Sequence, residues 1–197
     1  MHKLLIATAN EGKVKEFKRR FESENLTVIS LLDLDDAPDV AETGSTFAEN
    51  AVLKAEAIMR LTNKPVIADD SGLVVDALDG DPGVYSARYA GLEKDDEANI
   101  DKVLNEMKDI PEGERTASFQ CVLAVAIPGE KTEVFSGTCN GTITFERSGH
   151  FGFGYDPIFY VPSYRKTMAE LSPDEKNAVS HRGQALDRLE ESFQELF

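Results

Sequence analysis

Apolar and polar positions alternate with two different periods along this chain, and the change of period divides it roughly in the middle. In the first half, short apolar runs alternate with stretches of helical spacing. Residues 3–7 predict a strand, a polar turn follows, and Val14, Phe17 and Phe21 at i, i+3 and i+7 predict a helix from Lys13. Residues 27–32 predict a second strand, and Asp33, Asp35, Asp36, Asp39 and Glu42 make an acidic loop ending at Gly44. A helix is expected over residues 46–61, where Phe47, Ala51, Ala55, Ile58 and Met59 form one apolar side. The run at 65–68 reads as a buried central strand that breaks into the polar turn Asp69-Asp70-Ser71-Gly72, with 73–75 as a continuation. Ligands of α/β proteins bind just past strand ends, so carboxylates there are candidate chemistry.

The second half changes register. Ile100, Val103, Leu104 and Met107 mark one more helix, after which residues 116–127 and 132–139 predict a long hairpin and 142–145 a further strand. A glycine-rich aromatic stretch, 149–156, precedes a short strand at 158–161. Ser172-Pro173-Asp174-Glu175 is a capping box with Pro at the first helical position, and Leu186, Leu189, Phe193 and Leu196 define a terminal helix. The alternation predicts an α/β fold with a mixed rather than purely parallel sheet.

Composition narrows the function. With 197 residues and 41% hydrophobic content, the chain can bury a full core as one domain, residues 1–197. The net charge of −15, from 21 basic and 36 acidic residues, repels nucleic acid and anionic membrane surfaces. No apolar run reaches the ~18 residues of a membrane span, and the expected location is the cytoplasm. Cys121 and Cys139 lie in predicted strands without metal-ligand spacing and read as buried thiols.

Common nucleotide motifs are absent. Gly12-Lys13 lacks the upstream Gly of a P-loop, and Gly149, Gly152 and Gly154 are in the wrong order for a dinucleotide fingerprint. A phosphoaspartyl hydrolase needs two aspartates two residues apart, whereas Asp69 and Asp70 are adjacent.

Five separated segments do coincide with one family. They are Thr8-Ala9-Asn10-Glu11-Gly12-Lys13, Glu42-Thr43-Gly44-Ser45-Thr46-Phe47-Ala48-Glu49-Asn50-Ala51, Asp69-Asp70-Ser71-Gly72 with Pro82-Gly83-Val84-Tyr85-Ser86-Ala87-Arg88-Tyr89, Phe153-Gly154-Tyr155-Asp156-Pro157, and Ser180-His181-Arg182. In this order they resemble the non-canonical purine nucleoside triphosphate pyrophosphatases, the inosine triphosphatase or dITP/XTP pyrophosphatase family. The resemblance implies an elongated mixed β-sheet flanked by helices, with two lobes around a central active-site cleft. It further implies a homodimer that hydrolyses ITP, dITP and XTP to the monophosphate and pyrophosphate with Mg²⁺. A general phosphatase releasing orthophosphate and a non-catalytic nucleotide sensor are the alternatives.

The resemblance also assigns residues. The 8–13 loop, Thr8, Ala9, Asn10, Glu11, Gly12 and Lys13, would cradle phosphate at a helix start, with Lys13 as a cationic ligand. Thr8 and Asn10 could equally cap that helix. Glu42 and Asp70 would hold Mg²⁺, which needs only one or two carboxylates, and Asp70 would also accept the proton of the attacking water. Asp69 is the rival, because adjacent strand residues face opposite ways. Glu49 is either a neighbour of the metal site or simply exposed. Ala41 stands where the family often carries a second acid. Ser71, Lys54, Lys176, Gly154 and Tyr155 would be further substrate contacts, and Phe153 would stack on a purine, with Gly152 and Gly154 allowing close backbone approach. Asp156, His181 and Arg182 would read the base edge, Arg182 donating to a 6-oxo group where adenine presents a donor instead. Guanine shares that 6-oxo group, so its exclusion would depend on the 2-position.

Overall fold

The computed structural model describes residues 3–21, 27–34 and 40–196. Its strands are β1 (Lys3–Ile6), β2 (Thr27–Ser30), β3 (Val66–Val75), β4 (Thr116–Ala126), β5 (Glu133–Ile143), β6 (Phe159–Val161) and β7 (Lys166–Thr167). The helices are α1 (Glu11–Phe21), α2 (Phe47–Thr62), α3 (Asp96–Glu106), α4 (Pro173–Val179) and α5 (His181–Leu196). The strands form one sheet in the order β2-β1-β3-β4-β5-β6-β7. β1 pairs in parallel with β2 and β3, whereas β5, β6 and β7 pair antiparallel, so the sheet is mixed as expected. Among the described residues no helix is long and apolar enough to cross a membrane.

Contacts within the chain divide it into two compact units. The first comprises Met1–Asp70, Val122–Phe135 and Ala185–Phe197, and its core gathers Leu5, Ala51, Ala55, Ile58, Val66 and Ala124. The second comprises Ser71–Cys121 and Ser136–Gln184, with Leu73, Val103, Met107, Phe119, Ile143 and Phe159 at its centre. Both cysteines are buried and neither forms a disulfide.

Local chemistry explains where the elements depart from expectation. α1 starts two residues early because Asn10 Oδ1 accepts the Lys13 N–H at 3.0 Å, capping the helix at its third position. β2 stops at Ser30, whose N–H and hydroxyl both donate to Asp33 Oδ2 at 2.8 Å and turn Leu31–Asp33 into a 3₁₀ turn. The central strand does not break at the carboxylates: β3 runs through Asp69, Asp70, Ser71 and Gly72 to Val75. Acids in mid-strand are tolerated because Lys13 neutralises Asp69. The strand expected at 142–145 is no separate element. β5 continues to Ile143, and Gly141 within it is a close-approach position, since a Cβ there would lie 2.3 Å from the Tyr160 carbonyl of the neighbouring strand. Ser180 Oγ accepts the Gly183 N–H at 3.0 Å, so α5 begins at His181 and takes His181 and Arg182 into its first turn. Leu186 and Leu189 of α5 are buried as its pattern requires, while the side chains of Phe193 and Leu196 and the loop acids Asp35, Asp36 and Asp39 lie outside the described residues.

One residue without any signal in the apolar pattern ties the second unit together. Arg115 is 2% exposed, and its guanidinium donates to the carbonyls of Ile143 (2.8 Å), Met107 (2.6 Å), Ile110 (3.1 Å) and Thr144 (2.9 Å). The Phe145 ring lies 4.2 Å from the guanidinium carbon. Arg115→Met keeps the apolar stem but strips these carbonyls of their donor, and each unsatisfied buried acceptor costs about 1 kcal/mol or more. Urea unfolding is therefore expected to show a loss of about 3 kcal/mol or more; a loss below about 1 kcal/mol would mean that water replaces the guanidinium.

Candidate active site

In the first unit, Glu42, Asp69 and Asp70 come together with Lys13 and Lys54. The parallel pairing of β1 with β3 brings the start of α1 to β3, and Lys13 Nζ lies 2.9 Å from Asp69 Oδ2. The Asp69 side chain is fully buried and that of Lys13 is 17% exposed. Lys54 reaches from α2 to pair with Glu42 at 2.5 Å and to donate to the Asp69 backbone carbonyl at 3.2 Å. Burial pulls the Lys54 ammonium down, but the charges of Asp69, Glu42 and Asp70 outweigh it and hold the group above its ordinary value.

Asp70 is 6% exposed. Burial and the charge of Glu42 push its carboxyl up to about 6, against the opposing pull of Lys54, the Asn50 side chain and Lys13. A carboxyl of that kind is poised to exchange a proton near neutrality. The surrounding loop is tightly specified. Thr46 caps α2 by accepting the Glu49 N–H at 3.1 Å, and Glu49 turns back to accept from the Ser45 N–H and hydroxyl at 2.7 and 2.8 Å. The Glu49 carboxylate therefore closes this loop. Gly44 is required there, because a Cβ would meet Glu49 Cβ at 2.7 Å and Asn50 Oδ1 at 2.8 Å.

The 8–13 loop is a helix start in which the side chains cap. Thr8 Oγ1 accepts the Asn10 N–H at 3.1 Å, and Asn10 caps α1. Ala9 and Glu11 are exposed, Glu11 lying 4.0 Å from Lys15, and Gly12 is half-buried in the first turn. What this segment offers an anion is the amino end of an 11-residue helix together with Lys13.

The second unit carries an aromatic and cationic set. Asp156, 4% exposed, accepts from Lys176 Nζ at 2.7 Å and from the Phe153 N–H at 3.0 Å. Gly152, at φ +83°, leaves no room for a side chain, since a Cβ would lie 1.9 Å from Asp156 Oδ2. The Gly154 N–H donates to Asp96 at 2.9 Å, and the buried Tyr155 donates its hydroxyl to the Ser86 carbonyl at 2.7 Å. Lys176 Nζ stands 4.8 Å from the Phe153 ring centroid and the Arg182 guanidinium carbon 5.8 Å from it. Arg182, 2% exposed, donates from Nη2 to Ser71 Oγ at 2.8 Å. His181 stacks on Phe119 with ring centroids 4.9 Å apart. Phe153, Lys176, Arg182 and Ser71 thus come together, while Tyr155 and His181 face the interior of their unit.

The profile of the Ham1 family matches residues 4–192. The chain belongs to the Ham1 family. It is 60% identical over 196 residues to a protein of Geobacillus kaustophilus (strain HTA426) named dITP/XTP pyrophosphatase, covering 100% of this chain and 96% of that one. A Bacillus subtilis (strain 168) protein of the same name is 56% identical over 189 residues, covering 96% of each. Among solved structures, the Staphylococcus aureus Ham1 protein is 49% identical with a TM-score of 0.88 over 98% of both chains. A HAM1 protein from Coxiella burnetii is 43% identical with a TM-score of 0.89, covering 99% of this chain and all of that one (100%).

Asn50 is the residue of this Ham1 chain whose part sequence reasoning missed. It is fully buried on α2, its Oδ1 accepts the Gly44 N–H at 2.7 Å, and its side chain also acts on Asp70. Its signal was an amide on the apolar stripe of a helix, beside Phe47 and Ala51, where a polar group must be satisfied.

The raised Asp70 carboxyl has a thermodynamic consequence. An Asp titrates near 3.9 when unfolded and here at about 6, so the folded state holds the extra proton between those values. The Asp70 contribution to stability is therefore fullest below about pH 4 and is lost as pH rises through 6. Asp70→Asn does not titrate. In chelator, its stability relative to the unsubstituted protein is expected to grow by up to about 3 kcal/mol between pH 4 and 7, because holding the proton across one pH unit is worth about 1.4 kcal/mol. Urea unfolding across that range checks it, and a constant difference would place the Asp70 carboxyl at its ordinary value.

Proposed function

We propose that this chain hydrolyses non-canonical purine nucleoside triphosphates, ITP, dITP and XTP, to the nucleoside monophosphate and pyrophosphate. The observation that carries the reading is Asp70, a buried carboxyl held at about 6 in a cluster that also contains Glu42, Lys13 and Lys54. Relatives at 56% and 60% identity that bear the name dITP/XTP pyrophosphatase support the substrate class.

In this reading Lys13, Lys54 and the amino end of α1 offset the triphosphate charge. Asp70 takes a proton from water as the water oxygen bonds to the α-phosphorus. The bond from that phosphorus to its bridging oxygen breaks, and the electron pair leaves with pyrophosphate. In the second unit, Phe153 offers a face to a purine and Arg182 a donor to its 6-oxo group.

The donor set fits Mg²⁺. Glu42 and Asp70 are hard oxygen donors, and the charge of Glu42 helps hold the Asp70 carboxyl up, a repulsion that a cation relieves. Mg²⁺ needs only one or two carboxylates, with substrate phosphates and water completing its shell. When bound at Glu42 and Asp70, Mg²⁺ supplies Lewis acidity to the phosphoryl oxygens and balances charge on departing pyrophosphate. The proposal extends to a cytoplasmic homodimer, its assembly measurable by light scattering. The primary test is incubation with ITP and Mg²⁺, resolving pyrophosphate from orthophosphate. Stoichiometric pyrophosphate and IMP are expected; orthophosphate with IDP would replace this reading by that of a terminal phosphatase.

A further inference from the structure

We propose that Asp69 is a positioning residue, whose buried carboxylate fixes the Lys13 ammonium in the orientation that serves the transition state. The proposal rests on the pyrophosphatase reading above and deepens it. Three observations carry it. Asp69 Oδ2 lies 2.9 Å from Lys13 Nζ, the Asp69 side chain has no exposed surface, and the Lys13 side chain keeps 17% of its own. A lysine carries three donors on a flexible four-carbon stem, so one anchored donor aims the others, and the exposed part of Lys13 is where they can meet phosphate. The anchor is itself held. The Asp69 backbone carbonyl accepts from Lys54, which also pairs with Glu42, so both functional lysines are located by the same strand position. Asp69, fully enclosed and engaged by Lys13, has no surface through which to meet an attacking water. Its neighbour Asp70 keeps 6% exposure.

Simple charge balance makes the opposite prediction for binding. Removing a negative charge beside a triphosphate should tighten anion binding, whereas removing an anchor should slow turnover. Both effects can therefore be read in one variant.

The experiment compares Asp69→Asn, Lys13→Met and the double variant, measuring kcat and KM for ITP with Mg²⁺ and calorimetric binding of inorganic tripolyphosphate. Asp69→Asn is expected to lower kcat by about tenfold or more while tripolyphosphate affinity holds or rises, a split that a general loss of structure does not produce. Because Asp69 acts through Lys13, the double variant should fall within about threefold of Lys13→Met alone. A double variant slower than Lys13→Met by about tenfold overturns the proposal, since Asp69 would then act on its own. So does an Asp69→Asn kcat within about twofold of the unsubstituted protein. If Asp69→Asn alone fails to fold, the comparison of Lys13→Met with the double variant, in which both charges of the pair are gone, still decides. Failure of the underlying reading looks different: the unsubstituted protein itself would release no pyrophosphate from ITP.

Discussion

Asp70→Asn should lower kcat for ITP by about a thousandfold or more while leaving the protein folded, since a positioned general base contributes about 10²–10⁴ and an amide also binds Mg²⁺ poorly. The prediction separates catalysis from stability. The buried Asp70 carboxyl, pushed up to about 6 by burial and by Glu42, opposes folding at neutral pH in the absence of a cation. Its neutral isostere is therefore expected to be inactive and, in chelator, more resistant to urea. Loss of activity together with loss of stability would point to a structural part for Asp70. Retention of the original rate would remove Asp70 from the proton transfer. Single-turnover measurements with saturating Mg²⁺ distinguish a weakened metal site, which added cation restores in part, from a missing base, which it does not.

The same pair of aspartates shows how far the sequence could be read. Apolar periodicity located the helices well, because Phe47, Ala51, Ala55 and Ile58 all bury and α2 has little freedom to lie elsewhere. The family resemblance brought Glu42, Asp70 and Lys13 into view, with Asp69 as the rival of Asp70, and the fold gathers all four in one unit. Periodicity alone could not reveal that β3 passes through the carboxylates. That continuity depends on Lys13, distant in sequence, neutralising Asp69. Arg115 was silent for a related reason: its partners are backbone carbonyls, which leave no trace in side-chain pattern. The part played by Asp156 was hidden in the same way. Its carboxylate faces the Phe153 N–H and Lys176, contacts that follow from the tight turn at Gly152 and not from spacing along an element.

If Arg182 reads the base edge as proposed, its replacement should separate substrates that differ at one ring position. Arg182→Ala is expected to lower kcat/KM for ITP by about tenfold to a hundredfold, as a hydrogen bond from a charged donor is worth about 1.5–3 kcal/mol. ATP, whose 6-amino group gains nothing from that donor, should change by less than about threefold, so that the preference for ITP collapses. The structure adds a complication that the experiment must carry. Arg182 is 2% exposed, donates to Ser71 Oγ at 2.8 Å and lies 5.8 Å from the Phe153 ring, so its loss also removes local support. Ser71→Ala serves as the control, because it deletes the same hydrogen bond while keeping the guanidinium. If Ser71→Ala preserves the ITP to ATP ratio and Arg182→Ala abolishes it, the guanidinium reads the base. Equal proportional losses for both nucleotides in Arg182→Ala would instead make Arg182 a prop for Ser71 and Phe153, and selectivity would have to arise from another group that meets the purine edge.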